Sequence, residues 1–251
     1  MTQPSRGRRV VILGATSAIA EAAARLWARE SAHLVLVGRN AERLGAIADD
    51  LRIRGAAAVD VVVLDLAAAD AGGELDSMAT LIGSIDVVLL AYGVLGDQAA
   101  AEQDPAAARS VLETDFLSAA AWCLAAANYL ASRRAGVLIV IGSVAGDRGR
   151  MSNYIYGAAK GGLGILAQGI AHRLAPTGAR AVLIKPGFVD TPMTAGIARK
   201  GILWSRPEVI AAVIKRAAER GGPIVYAPWW WRFIMLMIRL APARIFHRTK
   251  L

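Results

Sequence analysis

Val11-Ile12-Leu13-Gly14-Ala15-Thr16-Ser17-Ala18-Ile19-Ala20 joins a short apolar run to an alanine-rich helical stretch through a turn of small residues. A helix beginning there leaves its first backbone N–H groups without intrahelical partners, and the positive end of its dipole faces the same way. The turn is therefore a place for a pyrophosphate. Gly14 and the small side chains of Thr16, Ser17 and Ala18 let a phosphate come close, and Ile19 carries the chain into the helix. Only Gly14 is glycine; Ala18 and Ala20 stand where glycine is commoner in phosphate-binding turns.

Outward from this turn, apolar runs suited to buried strands recur at Val10–Leu13, His33–Gly38, Ala58–Asp65, Asp86–Ala91, Val137–Ile141, Ala181–Lys185 and Ile224–Tyr226. Helical patterns separate them at Ile19–Arg29, Ala41–Arg54, Asp70–Ile82, Pro105–Arg133, Tyr154–Leu174 and Pro207–Arg220. Near-continuous Val, Ile and Leu strands alternating with helices describe a parallel sheet covered on both faces, and right-handed crossovers make it doubly wound. The expected fold is α/β: a Rossmann-like, seven-stranded parallel sheet in a single domain over 1–251. A basic arm at 1–8 precedes it, and a basic aromatic segment at 227–251 ends it in an amphipathic helix. The connection Gly187–Arg206 is long for such a domain, and its apolar content predicts a lid over a substrate.

A chain of 251 residues with 55% hydrophobic content is not disordered. One cysteine, Cys123, cannot form an internal disulfide, and three histidines give no basis for a metal site, so none is expected. The first ten residues hold no apolar signal-peptide stretch, and the expectation is a cytoplasmic protein. The net charge of +9 is confined to the ends: Arg6, Arg8 and Arg9 precede Val10, and six basic residues follow Glu219, the last acid. The stretch between balances 20 basic against 20 acidic groups. A basic tail interleaved with Trp, Phe, Ile, Leu and Met predicts an anionic membrane surface, the inner face of the cell membrane, and not nucleic acid.

After the second apolar run, Gly38-Arg39-Asn40 carries arginine where an acidic residue would hydrogen-bond a 2′-hydroxyl, which suits a 2′-phosphate. Asp65-Leu66 is positioned to accept from an adenine amino group. Further on, Tyr156-Gly157-Ala158-Ala159-Lys160 places a phenol and an ammonium at i and i+4 on one helix face. A phenol alone ionises near pH 10, too high for acid-base work at neutrality, and a cation beside it favours the phenolate. Ser143 follows the fifth apolar run by two residues and stands where a hydroxyl can polarise a carbonyl.

Ser143, Tyr156 and Lys160, with the Gly14 turn upstream and Lys185-Pro186-Gly187 downstream, resemble the short-chain dehydrogenase/reductase family over essentially the whole chain. The resemblance implies a nicotinamide dinucleotide, NADPH or NADH, with Tyr156 as proton donor or acceptor. Lys160 would bind the nicotinamide ribose, Ser143 the carbonyl oxygen, and Pro186, Gly187, Val189 and Thr191 would border the nicotinamide. Two departures stand out. The family's Asn-Asn-Ala-Gly is here Leu90-Ala91-Tyr92-Gly93, so only a backbone role for Ala91, Tyr92 and Gly93 carries over. Asp115 stands where the family has a catalytic Asn; a carboxylate accepts from the same water chain but cannot donate.

Tyr226 to Pro242 is too short and too charged to span a bilayer. Arg232 and Arg239 share one helical face while Trp229, Phe233, Leu236 and Leu240 share another, the form of an interfacial helix or of a helix at a subunit interface. This ending, with Ala91-Tyr92-Gly93-Val94-Leu95-Gly96-Asp97 and Ile224-Val225-Tyr226-Ala227-Pro228, is similar to one branch of the family, the decaprenylphosphoryl-2-keto-erythro-pentose reductases. That similarity implies a polyprenyl-phosphate-linked keto sugar as substrate, a flavin-dependent partner oxidase and a homo-oligomer. Reduction of a small soluble ketone or 3-oxoacyl substrate stands as the alternative, as does a catalytically silent nucleotide-binding scaffold.

Overall fold

In the computed structural model, which describes residues 7–197 and 201–249, the run before the opening turn forms β1 (Arg9–Leu13). Most of the basic arm, and Lys250 at the other end, lie outside the described residues. The remaining strands of the main sheet are β2 (His33–Gly38), β3 (Ala58–Val63), β4 (Val87–Leu90), β5 (Val137–Ile141), β6 (Arg180–Pro186) and β7 (Ile224–Ala227). All pair in parallel in the spatial order 3-2-1-4-5-6-7. Its central strands are buried on both faces, which is why they read as unbroken apolar runs, while the edge strands β3 and β7 are partly exposed.

The alternation within β1 shows the two sides. Val10 and Ile12 join one buried cluster with residues of α1 (Ala18–Ala28), α2 (Ala41–Ile53) and a later helix over Pro207–Glu219. Val11 and Leu13 join the opposite cluster with α3 (Ala71–Ile82) and helices over Ala119–Arg133 and Tyr154–Leu174. Each fully buried Val, Ile or Leu contributes about 1.5–3 kcal/mol relative to exposure. The expected α/β, doubly wound, seven-stranded domain is thus the observed one.

One expected helix is divided. Pro105–Arg133 is in fact α5 (Pro105–Leu112), a π-helical turn at Glu113–Ser118 and α6 (Ala119–Arg133), and a short α4 (Gln98–Gln103) precedes them. Aspartates punctuate this stretch: Asp97 accepts from the amides of Ala99 and Ala100, and Asp104 from Ala106 with Pro105 at the first helical position. The π-turn carries Asp115 inward to full burial. α7 (Tyr154–Leu174) and α8 (Pro207–Glu219) match their expected spans to within one residue.

The Gly187–Arg206 connection is not bare loop. Phe188–Val189 pairs with Trp204–Ser205 in a two-residue ribbon, and Phe188 stacks on Trp204 with ring centroids 5.3 Å apart. The C-terminal segment forms α9 (Trp231–Leu240) and α10 (Ala243–Phe246). Trp231 and Met235 are buried with Val144 in a third apolar cluster, against Phe188 and Tyr226. Arg148 seals the far end of α9, donating to the carbonyls of Ile238 and, at 2.7 Å, Ala241, while its guanidinium lies 3.8 Å from the Phe246 ring centroid. A cation there also suits the negative end of the helix dipole.

Candidate active site

A cleft of about 1200 Å³ is lined by residues that follow the C-terminal ends of β1 through β6. Its middle lies where the strand order reverses between β1 and β4, the position where open α/β sheets bind ligands. Every nucleotide-site residue expected from sequence lines it: Gly14, Thr16, Ser17, Ala18, Ile19, Arg39, Asp65, Leu66, Ala91, Tyr92, Gly93, Pro186, Gly187, Val189 and Thr191. Ser143, Tyr156 and Lys160 line it as well.

At the nucleotide end, Gly14 has φ +85°, and a Cβ there would lie 2.5 Å from that of Tyr92. Both the turn and the neighbouring strand end therefore require glycine. The amides of Gly14 and Ala15 share the Val37 carbonyl at 3.0 Å, and no side chain caps the start of α1, so its first-turn amides face the cleft. Asn40 opens α2 by accepting from the Arg43 amide at 2.8 Å. That turn brings a second guanidinium, Arg43, to the cleft beside Arg39. Both are exposed, and among the described residues neither has an ion-pair or hydrogen-bond partner for its side chain. Free first-turn amides at the start of α1 fit the diphosphate of a nicotinamide dinucleotide, and two unpaired guanidiniums stand beyond the end of β2.

At the chemical end, Ser143 Oγ accepts from the Ala145 amide at 3.0 Å, which fixes the hydroxyl and leaves its proton free to donate. Lys160 is 5% exposed, with Nζ 5.7 Å from the Tyr156 ring centroid and 3.5 Å from Asp115 Oδ2. Asp115 does not line the cleft. It lies behind Lys160, and its Oδ1 accepts from the Val94 amide at 2.7 Å, so it ties the β4 loop to the lysine and is a positioning residue in this geometry. Tyr92 directs its phenol to Ser118 Oγ at 2.9 Å, and burial raises its pKa well above the ordinary phenol value. Its side chain is thus spent on packing and only its backbone carries over the family role.

Below Ser143, the following turn is locked to the sheet. Asp147 takes Lys185 Nζ on Oδ1 and the Tyr226 hydroxyl on Oδ2 at 2.8 Å. Burial and the Asp147 carboxylate push the Tyr226 phenol up to about 12, so it stays a donor to Asp147. At Gly187 a Cβ would fall 1.8 Å from Trp231 Nε1, so the close seat of α9 against the end of β6 depends on that glycine. Sequence reasoning had no signal for Arg43, Arg150 or Asn153, which also line the cleft. The two later residues fall in an irregular stretch whose contacts depend on α9 and α10.

Burial raises the Asp115 carboxyl above its ordinary pKa, opposed by the Lys160 charge and the Val94 amide. Between the ordinary carboxylate value near 4 and the raised one, the folded protein binds more protons than the unfolded chain, so stability falls as pH rises through that window. Asp115→Asn is expected to flatten this fall. Denaturant melts of both proteins from pH 4 to 8 check it, and a stability difference that stays constant with pH would refute it.

The short chain dehydrogenase family profile matches residues 8–201. An uncharacterized oxidoreductase of Mycobacterium tuberculosis is 41% identical over 244 residues, covering 95% of this chain and 96% of its own. The cis-4-hydroxycyclohexanecarboxylate dehydrogenase of Sinomonas cyclohexanicum is 33% identical over 233 residues, covering 87% and 92%. A solved short-chain type dehydrogenase/reductase from Mycobacterium ulcerans superposes with a TM-score of 0.78 over 88% of each chain at 21% identity, a likeness of fold. Profile, full-length relatives and cleft agree, and the chain belongs to the short-chain dehydrogenase/reductase family, NAD(P)-dependent oxidoreductases acting on alcohols and ketones.

Proposed function

We propose that the protein is an NADPH-dependent reductase of a polyprenyl-phosphate-linked keto sugar, working at an anionic membrane surface. The observation that carries this reading is the seat of α9. It is fixed against the active-site residue Gly187 through Trp231, yet turns Phe233, Leu236 and Leu240 to solvent, with Trp229 just before it, each at least half exposed. An apolar face flanked by Arg232 and Arg239 beside the catalytic cleft suits a substrate whose tail remains in a bilayer. Among the described residues, no helix is long and apolar enough to cross a membrane. A homo-oligomer and a flavin-dependent oxidase that hands over the keto sugar belong to the same proposal; nucleic acid does not.

A bound nicotinamide dinucleotide would supply the hydride, and Lys160 would hold its ribose. In the reduction, the Ser143 hydroxyl donates to the ketone oxygen, Tyr156 Oη delivers the proton that oxygen gains, and the Lys160 charge favours the phenolate left behind. Asp115 holds Lys160 in place from behind. The deciding assay compares reduction of a decaprenyl- or short-prenyl-phosphoryl keto pentose with that of simple ketones; equal kcat/KM for both would overturn the lipid-sugar reading. A second reading, a small soluble ring ketone, is favoured by the full-length relative that acts on cis-4-hydroxycyclohexanecarboxylate.

Arg39 and Arg43 support the choice of NADPH, through charge-assisted contacts to a 2′-phosphate worth about 1.5–3 kcal/mol. Arg39→Asp is expected to weaken NADPH at least tenfold relative to NADH, and Arg43→Gln to weaken it further. Fluorescence titration of both cofactors reads this out. Equal affinity of the unaltered protein for NADPH and NADH would show that the two guanidiniums serve something else.

A further inference from the structure

Arg150 lies in the chain between Ser143 and Tyr156, on the cleft wall, and is only 8% exposed. Its Nε has no hydrogen-bond partner, and among the described residues the guanidinium takes part in no hydrogen bond or ion pair. Asp147 is the carboxylate whose charge reaches it, but both Asp147 oxygens are engaged, by Lys185 and Tyr226. Burial therefore presses against the Arg150 charge, and Asp147 offsets that only in part. Close by in sequence, Asn153 Oδ1 is buried without a partner on the same wall.

A buried cation that is only partly neutralised costs folding free energy. A buried amide end without a partner adds to that cost. Both residues line a cleft with room for a ligand, and an anion with several acceptor oxygens would satisfy the Arg150 donors, whereas Asn153 Oδ1 is itself an acceptor and calls for a donor such as a hydroxyl. The planar guanidinium fork matches phosphate in particular. The Arg150 guanidinium also borders a second, shallow groove, where Met151, Tyr154 and Phe246 supply mainly apolar surface leading away from the cleft along the C-terminal segment. An anion at Arg150 would thus lie where the reaction cleft meets an apolar groove.

We propose that Arg150 is the subsite for a phosphate ester carried by the ketone substrate, with the apolar part of the ester leaving along the Met151, Tyr154 and Phe246 groove. This rests on the keto-sugar reading for the identity of the ester, though not for the presence of an anion. Arg150 is then a specificity-determining residue.

The test uses the full-length protein loaded with NADPH and isothermal titration of three probes: geranyl phosphate, geraniol and ribose 1-phosphate. Geranyl phosphate is expected to bind at least tenfold tighter than geraniol, the scale of a hydrogen-bonded charge contact. Arg150→Gln should abolish that difference while leaving NADPH affinity within about twofold, a range far below the loss sought. Arg150→Lys, which keeps the charge and loses the fork, should retain part of it and carries the test if the glutamine variant does not fold. Unchanged preference for geranyl phosphate in both variants would overturn the proposal, as would no binding of it by the unaltered protein or equal weakening of geraniol and NADPH. Should ribose 1-phosphate bind as tightly as geranyl phosphate, and with the same dependence on Arg150, the anion subsite stands and the lipid-linked substrate falls.

Discussion

Tyr156→Phe is expected to lower ketone turnover by roughly 10²- to 10⁴-fold, the contribution of a positioned general acid. The reasoning is local. Tyr156 and Lys160 project into one cleft from the same face of α7, and Lys160 is held there by the carboxylate of Asp115 at 3.5 Å. Phenylalanine keeps the ring, and with it the packing at the start of α7, while removing the oxygen that carries the proton. NADPH affinity should therefore stay within about twofold, because the contacts at Gly14, Ala18, Ile19, Arg39 and Arg43 are untouched. Single-turnover reduction under saturating cofactor separates chemistry from binding. A variant that keeps more than about half of the original rate, far inside the loss expected of a missing general acid, would show that the proton comes from elsewhere.

The sheet and its edge were readable from sequence because they rest on local, repeated signals. Strands buried on both faces must be continuously apolar, and the turn at Gly14 must be small, so strand positions and the nucleotide end follow from residue type. That Tyr156 and Lys160 share a helix face follows from their spacing, while their role comes from the resemblance to the family. Other features depend on which distant segments meet. The division of Pro105–Arg133 into α5, a π-turn and α6 is set by where Asp115 finds Lys160 and the Val94 amide, contacts 45 and 21 residues away along the chain. Arg150 and Arg148 sit two residues apart in an unremarkable loop; one ends against the C-terminal carbonyls of α9 and the other faces the cleft unpaired. No periodicity separates those fates. The inward face of α9 was hidden for the same reason: Trp231 is one of three consecutive tryptophans, and only its seat at Gly187 distinguishes it from Trp229 and Trp230.

That distinction sets how the membrane proposal is best tested. Truncation before α9 would remove Trp231 and Met235 from the cluster they form with Val144, next to Ser143, and would confound surface binding with damage to the site. Serine at Trp229, Phe233 and Leu240 spares the buried face, since these side chains are 69%, 56% and 73% exposed. Each loses at least about 1 kcal/mol of apolar burial in a bilayer interface, so the triple variant should bind anionic vesicles at least 10²-fold more weakly. Arg232 and Arg239 add about 1 kcal/mol each near an anionic surface, a share that salt weakens. Sedimentation with vesicles containing phosphatidylserine, at low and high salt, measures both contributions. The thermal midpoint and turnover of a water-soluble ketone should stay near those of the unaltered protein, while turnover of a long-chain prenyl substrate in vesicles drops. Should the triple variant instead dissociate an oligomer and lose both activities together, α9 is a subunit interface. Absence of vesicle binding by the unaltered protein even at low salt would remove the membrane from the mechanism and leave the soluble ring ketone as the better reading.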